Sequence, residues 1–213
     1  MKNKKNNKKS KGFTLIELLV VIAIIAILAV VVVLTLNPAE LLRQARDSNR
    51  ISDFATIKSA ITLYQEDVST TTALCSSTST TCANDLYLSG TTSTPVIATT
   101  SFDATTTGAW GFAGVEGAVV TSTSRLVTGT GWIPINLTAI SSGAPISSWP
   151  VDPINTGSNF YIYAATSSGA GAWKIATKTE SAKYGWNGPN DIITGDAGNG
   201  TGTYQQGSNL TGL

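Results

Sequence analysis

The chain has 213 residues, which suffices for one compact domain with short appendages. Charged residues make up only 13% of it, about half the usual share for a soluble globular protein. There is no histidine, which excludes Ser-His and Cys-His catalytic pairs and histidine-based zinc sites. The composition therefore argues against most hydrolytic enzymes, and we predict that the protein is not an enzyme.

The net charge of +1 conceals an uneven distribution of charge along the chain. Six of the 14 basic residues are lysines within residues 1–12. The remaining residues carry 8 basic and 13 acidic side chains, a net charge of −5. Because nucleic-acid binding generally requires a basic surface, we expect no direct nucleic-acid partner.

An apolar run follows the lysines and spans residues 13–36, with Glu17 as its single charge. As a helix it is about 36 Å long, enough to cross a bilayer core of about 30 Å. The apolar part of a cleaved secretory signal is shorter, about 7–15 residues. The run thus predicts a retained membrane-spanning helix, with the lysines on the cytoplasmic side and all later residues exported.

The junction between the lysines and the apolar run reads Lys-Gly-Phe-Thr-Leu-Ile-Glu-Leu-Leu over residues 11–19. It resembles the processing and methylation motif of bacterial type IV pilins and pseudopilins. The resemblance implies that a prepilin peptidase removes residues 1–12 by cutting between Gly12 and Phe13, and then methylates the Phe13 amine. A glycine at the cut fits this role, because its backbone readily takes the extended form a protease needs.

Glu17 would be the fifth residue of the processed chain. A carboxylate inside an apolar segment costs a few kcal/mol unless it finds a partner. The resemblance implies that this partner is the Phe13 amine, of the same chain or of a neighbour in a fibre. The alternative is a side chain that reaches the nearby headgroups, since Glu17 lies only about 6 Å inside the run.

A second helix is predicted over residues 37–68, after an interruption that Pro38 should cause. Apolar residues at mostly helical spacing form one stripe that can pack on a globular domain: Ile51, Phe54, Ala55, Ile61, Tyr64 and Val68. Charged residues occupy its first part: Arg43, Arg46, Asp47, Arg50 and Asp53. They are typical of a solvated helix face, or alternatively of a contact between subunits of a fibre.

The exported head, residues 69–213, begins with an exposed Ser/Thr-rich loop over residues 69–107. Cys75 and Cys82 lie in it, and export to an oxidising compartment favours a disulfide between them. Five later segments are rich in aromatic and β-branched residues and predict strands at 109–115, 117–127, 132–137, 160–165 and 172–177. The last two form the clearest hairpin, and three to five antiparallel strands could cover the helix stripe. The predicted fold class is therefore α+β, with a long N-terminal helix packed on a small sheet.

Two smaller features of the head allow further interpretation. Residues 149–153, Trp-Pro-Val-Asp-Pro, resemble the Asp-Pro segment that precedes the final hairpin of many pilins.

Oxygen-bearing side chains in the Gly-rich C-terminal stretch are the ligands calcium prefers: Asn187, Asn190, Asp191, Asp196 and Asn199. Major pseudopilins bind calcium in such a loop, but Asx turns explain the composition equally well. No other cofactor is expected.

The resemblance implies a structural subunit of a type IV pilus or pilus-like filament. Its partners would be other copies of itself, minor pilins, the prepilin peptidase, the inner-membrane assembly platform and, before assembly, membrane lipid. It would reside in the bacterial inner membrane and then in an extracellular pilus or periplasmic pseudopilus. The alternatives are a type II secretion pseudopilin and, more remotely, a membrane-anchored binding protein or enzyme.

Overall fold

The computed structural model describes residues 12–68, 74, 85–90, 119–157, 159–165, 171–196, 198 and 202–208. The chain divides into two compact units, Met1–Leu41 and Leu42–Leu213. From here on, the head means the whole second unit, which includes Leu42 to residue 68 as well as residues 69–213. The described residues contain two long helices and a five-stranded, mostly antiparallel sheet, which confirms the predicted α+β class.

The apolar run forms helix α1 (Leu15–Leu36), which begins two residues after the start of the run. It ends at Asn37, whose backbone has a φ of 40°, in the left-handed region that asparagine tolerates better than most residues. Asn37 also begins the next helix, because its backbone carbonyl and its Oδ1 both accept a hydrogen bond from the Glu40 amide. Pro38 stands at the first helical position, where its missing amide hydrogen costs nothing. The interruption predicted at this point is confirmed.

Helix α2 (Pro38–Asp67) buries one apolar face within the head. Phe54, Ile61 and Tyr64 lie on this face, as the sequence predicts. Ala55 is exposed and Ile51 only half-buried, while Ile57 and Ala60 are fully buried in their place. The buried face thus lies slightly to one side of the predicted stripe.

The sheet has the strand order β2-β1-β3-β4-β5. The β1–β2 pair is parallel and every other pair is antiparallel. The predicted final hairpin is present as β3–β4, with Tyr163 opposite Ile175. The strand bounds are β1 Leu86–Leu88, β2 Val119–Thr121, β3 Ile162–Ala165, β4 Trp173–Thr177 and β5 Tyr204–Gly207.

Sequence-based predictions for four segments need correction or fall outside the described residues. Within 117–127, only Val119–Thr121 forms a strand among the described residues. Segment 132–137 is buried but irregular, and it ends in a short 3-10 helix, Leu137–Ala139. A side chain at Gly131 would lie 2.0 Å from the Leu126 carbonyl oxygen, so the chain here packs backbone against backbone. Strand β1 lies inside the stretch predicted as an exposed loop, and it is fully buried. Segment 109–115 lies outside the described residues.

The two faces of the sheet both contribute to the core, because side chains alternate along each strand. Tyr163, Trp173 and Ile175 face the cluster that contains the apolar side of α2. Leu88, Ile162 and their neighbours form a second cluster on the opposite face. Trp132, Trp149 and Trp173 fill the core and are at most 1% exposed. Trp186 is an exception, since it is 50% exposed.

Candidate processing and assembly site

The predicted processing junction lies just before α1. Gly12, Phe13 and Thr14 are described and non-helical, whereas the leader residues 1–11 lie outside the described residues. Phe13 is 90% exposed, and a side chain at Gly12 would meet nothing within 4 Å. An exposed, non-helical Gly-Phe junction is accessible to a peptidase.

Thr14 and Glu17 form a reciprocal hydrogen-bonded cap at the start of α1. The Glu17 amide donates to Thr14 Oγ1 at 3.3 Å. The Thr14 amide and the Thr14 hydroxyl donate in return to Glu17 Oε2, at 3.1 and 3.0 Å. This arrangement satisfies backbone donors that an α-helix otherwise leaves unpaired, and it holds the carboxylate at the helix N-terminus.

Thr14 is not among the predicted site residues, although the sequence carries a signal for it. A Thr followed three residues later by Glu, just before an apolar run, is the sequence signature of this cap. The cap gives Glu17 polar partners within its own chain. The carboxylate therefore need not reach toward the headgroups to find a hydrogen bond.

The cap predicts a measurable effect of replacing Thr14 by valine, which has the same shape but no hydroxyl. We expect amide hydrogen exchange at Glu17 to accelerate about fivefold in detergent micelles, a typical effect of losing an N-cap hydroxyl. A Thr14→Ser variant keeps the hydroxyl and should exchange at nearly the wild-type rate. Equal rates in the valine variant and wild type would show that the cap does not form in an apolar environment.

The remainder of α1 presents apolar side chains on every face. Residues Leu15–Val33 have a mean hydropathy of 3.4, and none of this window is buried. Near its end, the Thr35 hydroxyl donates to the carbonyls of Val31 and Val32 within the helix, so it leaves no unpaired donor. By length and composition α1 can cross a membrane.

Two of the charged residues on α2, Asp47 and Arg50, lie in a buried cluster in the head, which corrects the predicted solvated face for this pair, whereas Arg43 is exposed as predicted. Asp47 and Arg50 are at most 1% exposed. Arg50 donates to Asp47 Oδ1 at 2.7 Å, and to Asp152 at 2.7 and 3.0 Å. It also pairs with Glu180, which accepts further hydrogen bonds from Arg46. We call these five residues the Arg50 cluster.

The Arg50 cluster joins α2 to two distant segments of the head. Asp152, within the Asp-Pro segment, also accepts hydrogen bonds from the amides of Ile154 and Asn155. Asp47 accepts from the amides of Glu180 and Ser181. Each buried carboxylate therefore has several donors, the condition under which buried charge is tolerated.

The electrostatics of the cluster favour its charged forms. Hydrogen bonds from Arg46 hold the pKa of Glu180 below its usual value. Burial disfavours the charged form of Arg50, but the hydrogen bond to Asp152 and its negative charge outweigh burial and raise the Arg50 pKa. Asp53 lies apart from the cluster, where its carboxylate accepts a 2.8 Å hydrogen bond from the Tyr161 hydroxyl.

Two of the residues proposed as calcium ligands, Asp191 and Asp196, are used as internal hydrogen-bond acceptors. Asp191 accepts from the amides of Asn187, Ile193 and Thr194 and from the Thr194 hydroxyl, which lowers its pKa to about 2. Asp196 accepts from the amides of Gly198 and Gln205, while its burial raises its pKa. The described residues contain no group of three or more His, Cys, Asp or Glu side chains arranged to hold a metal. Calcium binding, with Asn190 as a further ligand, stays a prediction.

The predicted disulfide cannot be placed in this geometry. Cys75 and Cys82 both lie outside the described residues, as does Asn199 of the calcium prediction. The disulfide therefore also stays a prediction.

Comparison with known protein families gives a match that falls on this site. Residues 7–33 match the family model of the prokaryotic N-terminal methylation motif. No curated protein and no solved structure gives a significant match to the chain. The matched residues contain the Gly12–Phe13 junction, the Thr14–Glu17 cap and most of α1. Together with the α+β fold, they support a type IV pilin-like, prepilin-type protein, and the motif and α1 indicate a single-pass membrane anchor.

Proposed function

We propose that this protein is a structural subunit of a type IV pilus or pilus-like filament. Prepilin peptidase would cleave it after Gly12 and methylate Phe13. It would then be stored in the bacterial inner membrane with its N-terminus on the cytoplasmic side. The observation that carries the proposal is the matched processing motif directly followed by a helix that is apolar on all its faces.

The physical basis of assembly would be exchange of one apolar environment for another. The large apolar side chains of α1 are about half exposed or more in the single chain. Lipid covers them before assembly, and helices of neighbouring copies would cover them afterwards. Because both environments are apolar, the exchange costs little hydrophobic free energy, and packing and polar contacts decide it.

Glu17 would supply the polar contact. Cleavage after Gly12 creates a positive amine on Phe13, close to the carboxylate that the Thr14 cap holds at the helix N-terminus. Pairing an incoming amine with this carboxylate would neutralise two charges in an apolar filament core. A charge pair in such surroundings is far less costly than either charge alone.

Mass spectrometry of the N-terminal peptide tests the proposal. It should be applied to sheared surface material and, in parallel, to the membrane fraction of the native cells. We expect N-methylated Phe13 in sheared filaments. The same modified terminus confined to the membrane would instead favour a type II secretion pseudopilin, and an intact Met1 would contradict processing altogether.

A Gly12→Val variant is the control for the cleavage position. The added side chain should block access of the peptidase to the junction, so the variant should keep its leader and remain in the membrane fraction. Normal maturation of this variant would place the cleavage elsewhere.

A further inference from the structure

Residues Asn136, Leu137 and Thr138 form an Asn-X-Thr tripeptide at the start of the short 3-10 helix of the head. Asn-X-Thr, where X is any residue except proline, is the acceptor signal for N-linked glycosylation of exported proteins. We call this tripeptide the Asn136 sequon. The same signal occurs at Asn199 and Asn209, both of which lie outside the described residues. Asn136 is therefore the acceptor whose surroundings the structure describes.

The backbone of the Asn136 sequon is fixed, but its two signal residues lie at the surface. Asn136 and Thr138 are exposed, whereas Leu137 between them is fully buried. The Leu137 amide donates to the Val127 carbonyl at 2.7 Å, and Asn136 forms an isolated β-bridge with Thr128. The folded head therefore presents both signal residues to solvent.

The hydrogen bonds of Asn136 involve its side-chain oxygen. Asn136 Oδ1 accepts a hydrogen bond from the Thr138 hydroxyl at 2.6 Å and another from the Thr138 amide at 3.1 Å. Among the described residues, none accepts a hydrogen bond from Asn136 Nδ2, the atom that carries the sugar in an N-linked glycan. Asn155 is different, because its Nδ2 donates to the Ser89 carbonyl at 2.7 Å. A glycan on Asn136 would thus displace no internal hydrogen bond.

The chain that follows the sequon leaves space for a bulky attachment. Ala139 and residues 141–145 are exposed, and a side chain at Gly143 would meet nothing within 4 Å. Residues 139–148 carry no charge and are mostly small. A hydrated glycan beside them would therefore bury no charged side chain of this segment, and surface loops of this kind are the usual position of N-linked glycans.

We propose that Asn136 is an N-glycosylation site of the exported head. The donor is an oligosaccharide linked through its anomeric carbon to a polyprenyl diphosphate in the membrane, and a membrane-bound oligosaccharyltransferase catalyses the transfer. A bond forms between Asn136 Nδ2 and the anomeric carbon, while the bond from that carbon to the phosphate oxygen breaks. The polyprenyl diphosphate leaves with the bonding electrons, and the amide nitrogen loses one proton to a base on the transferase.

The burial of the flanking residues sets the time of the transfer. Ile135 and Leu137 are fully buried in the folded head, so the transferase must act before this segment folds, as the head emerges from the membrane. The proposal requires export of the head but not assembly of a filament. Either proposal can therefore fail without the other.

Mass spectrometry of the full-length protein purified from native cells tests the site. Arg125 and Lys174 are consecutive trypsin sites, so residues 126–174 form one peptide, and Asn136 is in the only sequon of that peptide. Asn199 and Asn209 fall in a separate peptide, residues 184–213. We expect the first peptide to carry an oligosaccharide, and electron-transfer fragmentation to locate it on Asn136. An unmodified wild-type peptide would overturn the proposal.

Matched variants separate N-glycosylation from sugar attached to a hydroxyl. Thr138→Ala removes the hydroxyl that the signal requires but keeps Asn136, so glycan occupancy should fall at least about tenfold. Thr138→Ser keeps a hydroxyl and should remain modified. Thr156→Ala changes an exposed threonine of the same peptide outside any sequon, and occupancy should not change. Equal occupancy in Thr138→Ala and wild type would contradict the proposal, and the wild-type peptide alone decides it if Thr138→Ala does not accumulate.

Discussion

Replacing Arg50 by methionine is expected to destabilise the head by about 3–5 kcal/mol, a large part of the about 5–15 kcal/mol that typically holds a domain together. The reason is that the carboxylates of Asp47 and Asp152, both at most 2% exposed, would keep their burial and lose their cation. Because methionine fills a similar volume, the decrease in the free energy of unfolding reflects the missing charge and not a cavity. Urea unfolding of the full-length protein in micelles, followed by tryptophan fluorescence, measures it.

Arg46→Met is the matched control for this experiment. Arg46 lies on the same helix and pairs with Glu180, but its side chain is 30% exposed. Water can therefore solvate the Glu180 carboxylate when Arg46 is replaced. The Arg46→Met variant should therefore lose much less stability than Arg50→Met. A double variant, Arg50→Met with Asp152→Asn, should lose less stability than the two single changes combined, since both remove the same pair. Equal losses at Arg46 and Arg50 would contradict a buried cluster.

The same cluster predicts the direction of the pH dependence. Because the pKa of Glu180 is lowered in the folded protein, its ionised form stabilises the fold above the usual glutamate pKa of about 4.3. That contribution is lost as the pH falls through the lower, folded-state value. We therefore expect the urea midpoint to decrease on acidification below about pH 4, and the Glu180→Gln variant to decrease less over this range.

Replacing Glu17 by alanine is expected to leave cleavage and methylation intact but to reduce sheared filaments at least tenfold. The proposed cleavage site lies five residues before the change, whereas the proposed amine pairing depends on the carboxylate itself. A single unpaired ammonium in an apolar filament core costs a few kcal/mol, and about 1.4 kcal/mol already corresponds to tenfold. Immunoblots of sheared and membrane fractions, with mass spectrometry of Phe13, measure both effects.

Two variants sharpen the Glu17 test. Glu17→Gln keeps the shape and can still accept the Thr14 hydrogen bonds, so a filament defect in it isolates the role of charge. Glu66→Ala removes a carboxylate from α2, outside the apolar helix, and should assemble normally. Wild-type filament yields from Glu17→Ala would rule out the amine–carboxylate pairing.

The sequence alone determined the N-terminal part of this protein. The Gly12–Phe13 junction, the apolar helix and the interruption at Pro38 follow from local chemistry: cleavage specificity, transfer of side chains into lipid, and a missing backbone donor. None of these requires a contact with a distant residue. The β3–β4 hairpin was also predictable, because aromatic and β-branched residues flank a short Gly-containing connection.

The tertiary structure alone decided the organisation of the head. Local spacing placed Arg50 on a solvated helix face or at a contact between subunits, but the partners of Arg50 include Asp152 and Glu180, each more than 100 residues away. Burial of β1 within a Ser/Thr-rich stretch was equally hidden, since its three residues become core only when β3 pairs beside them. Charge pairing and strand burial depend on which segments meet in space, and periodicity along the chain carries no information about that. Composition alone favours burial for every tryptophan, so only the tertiary structure shows that Trp186 is half exposed.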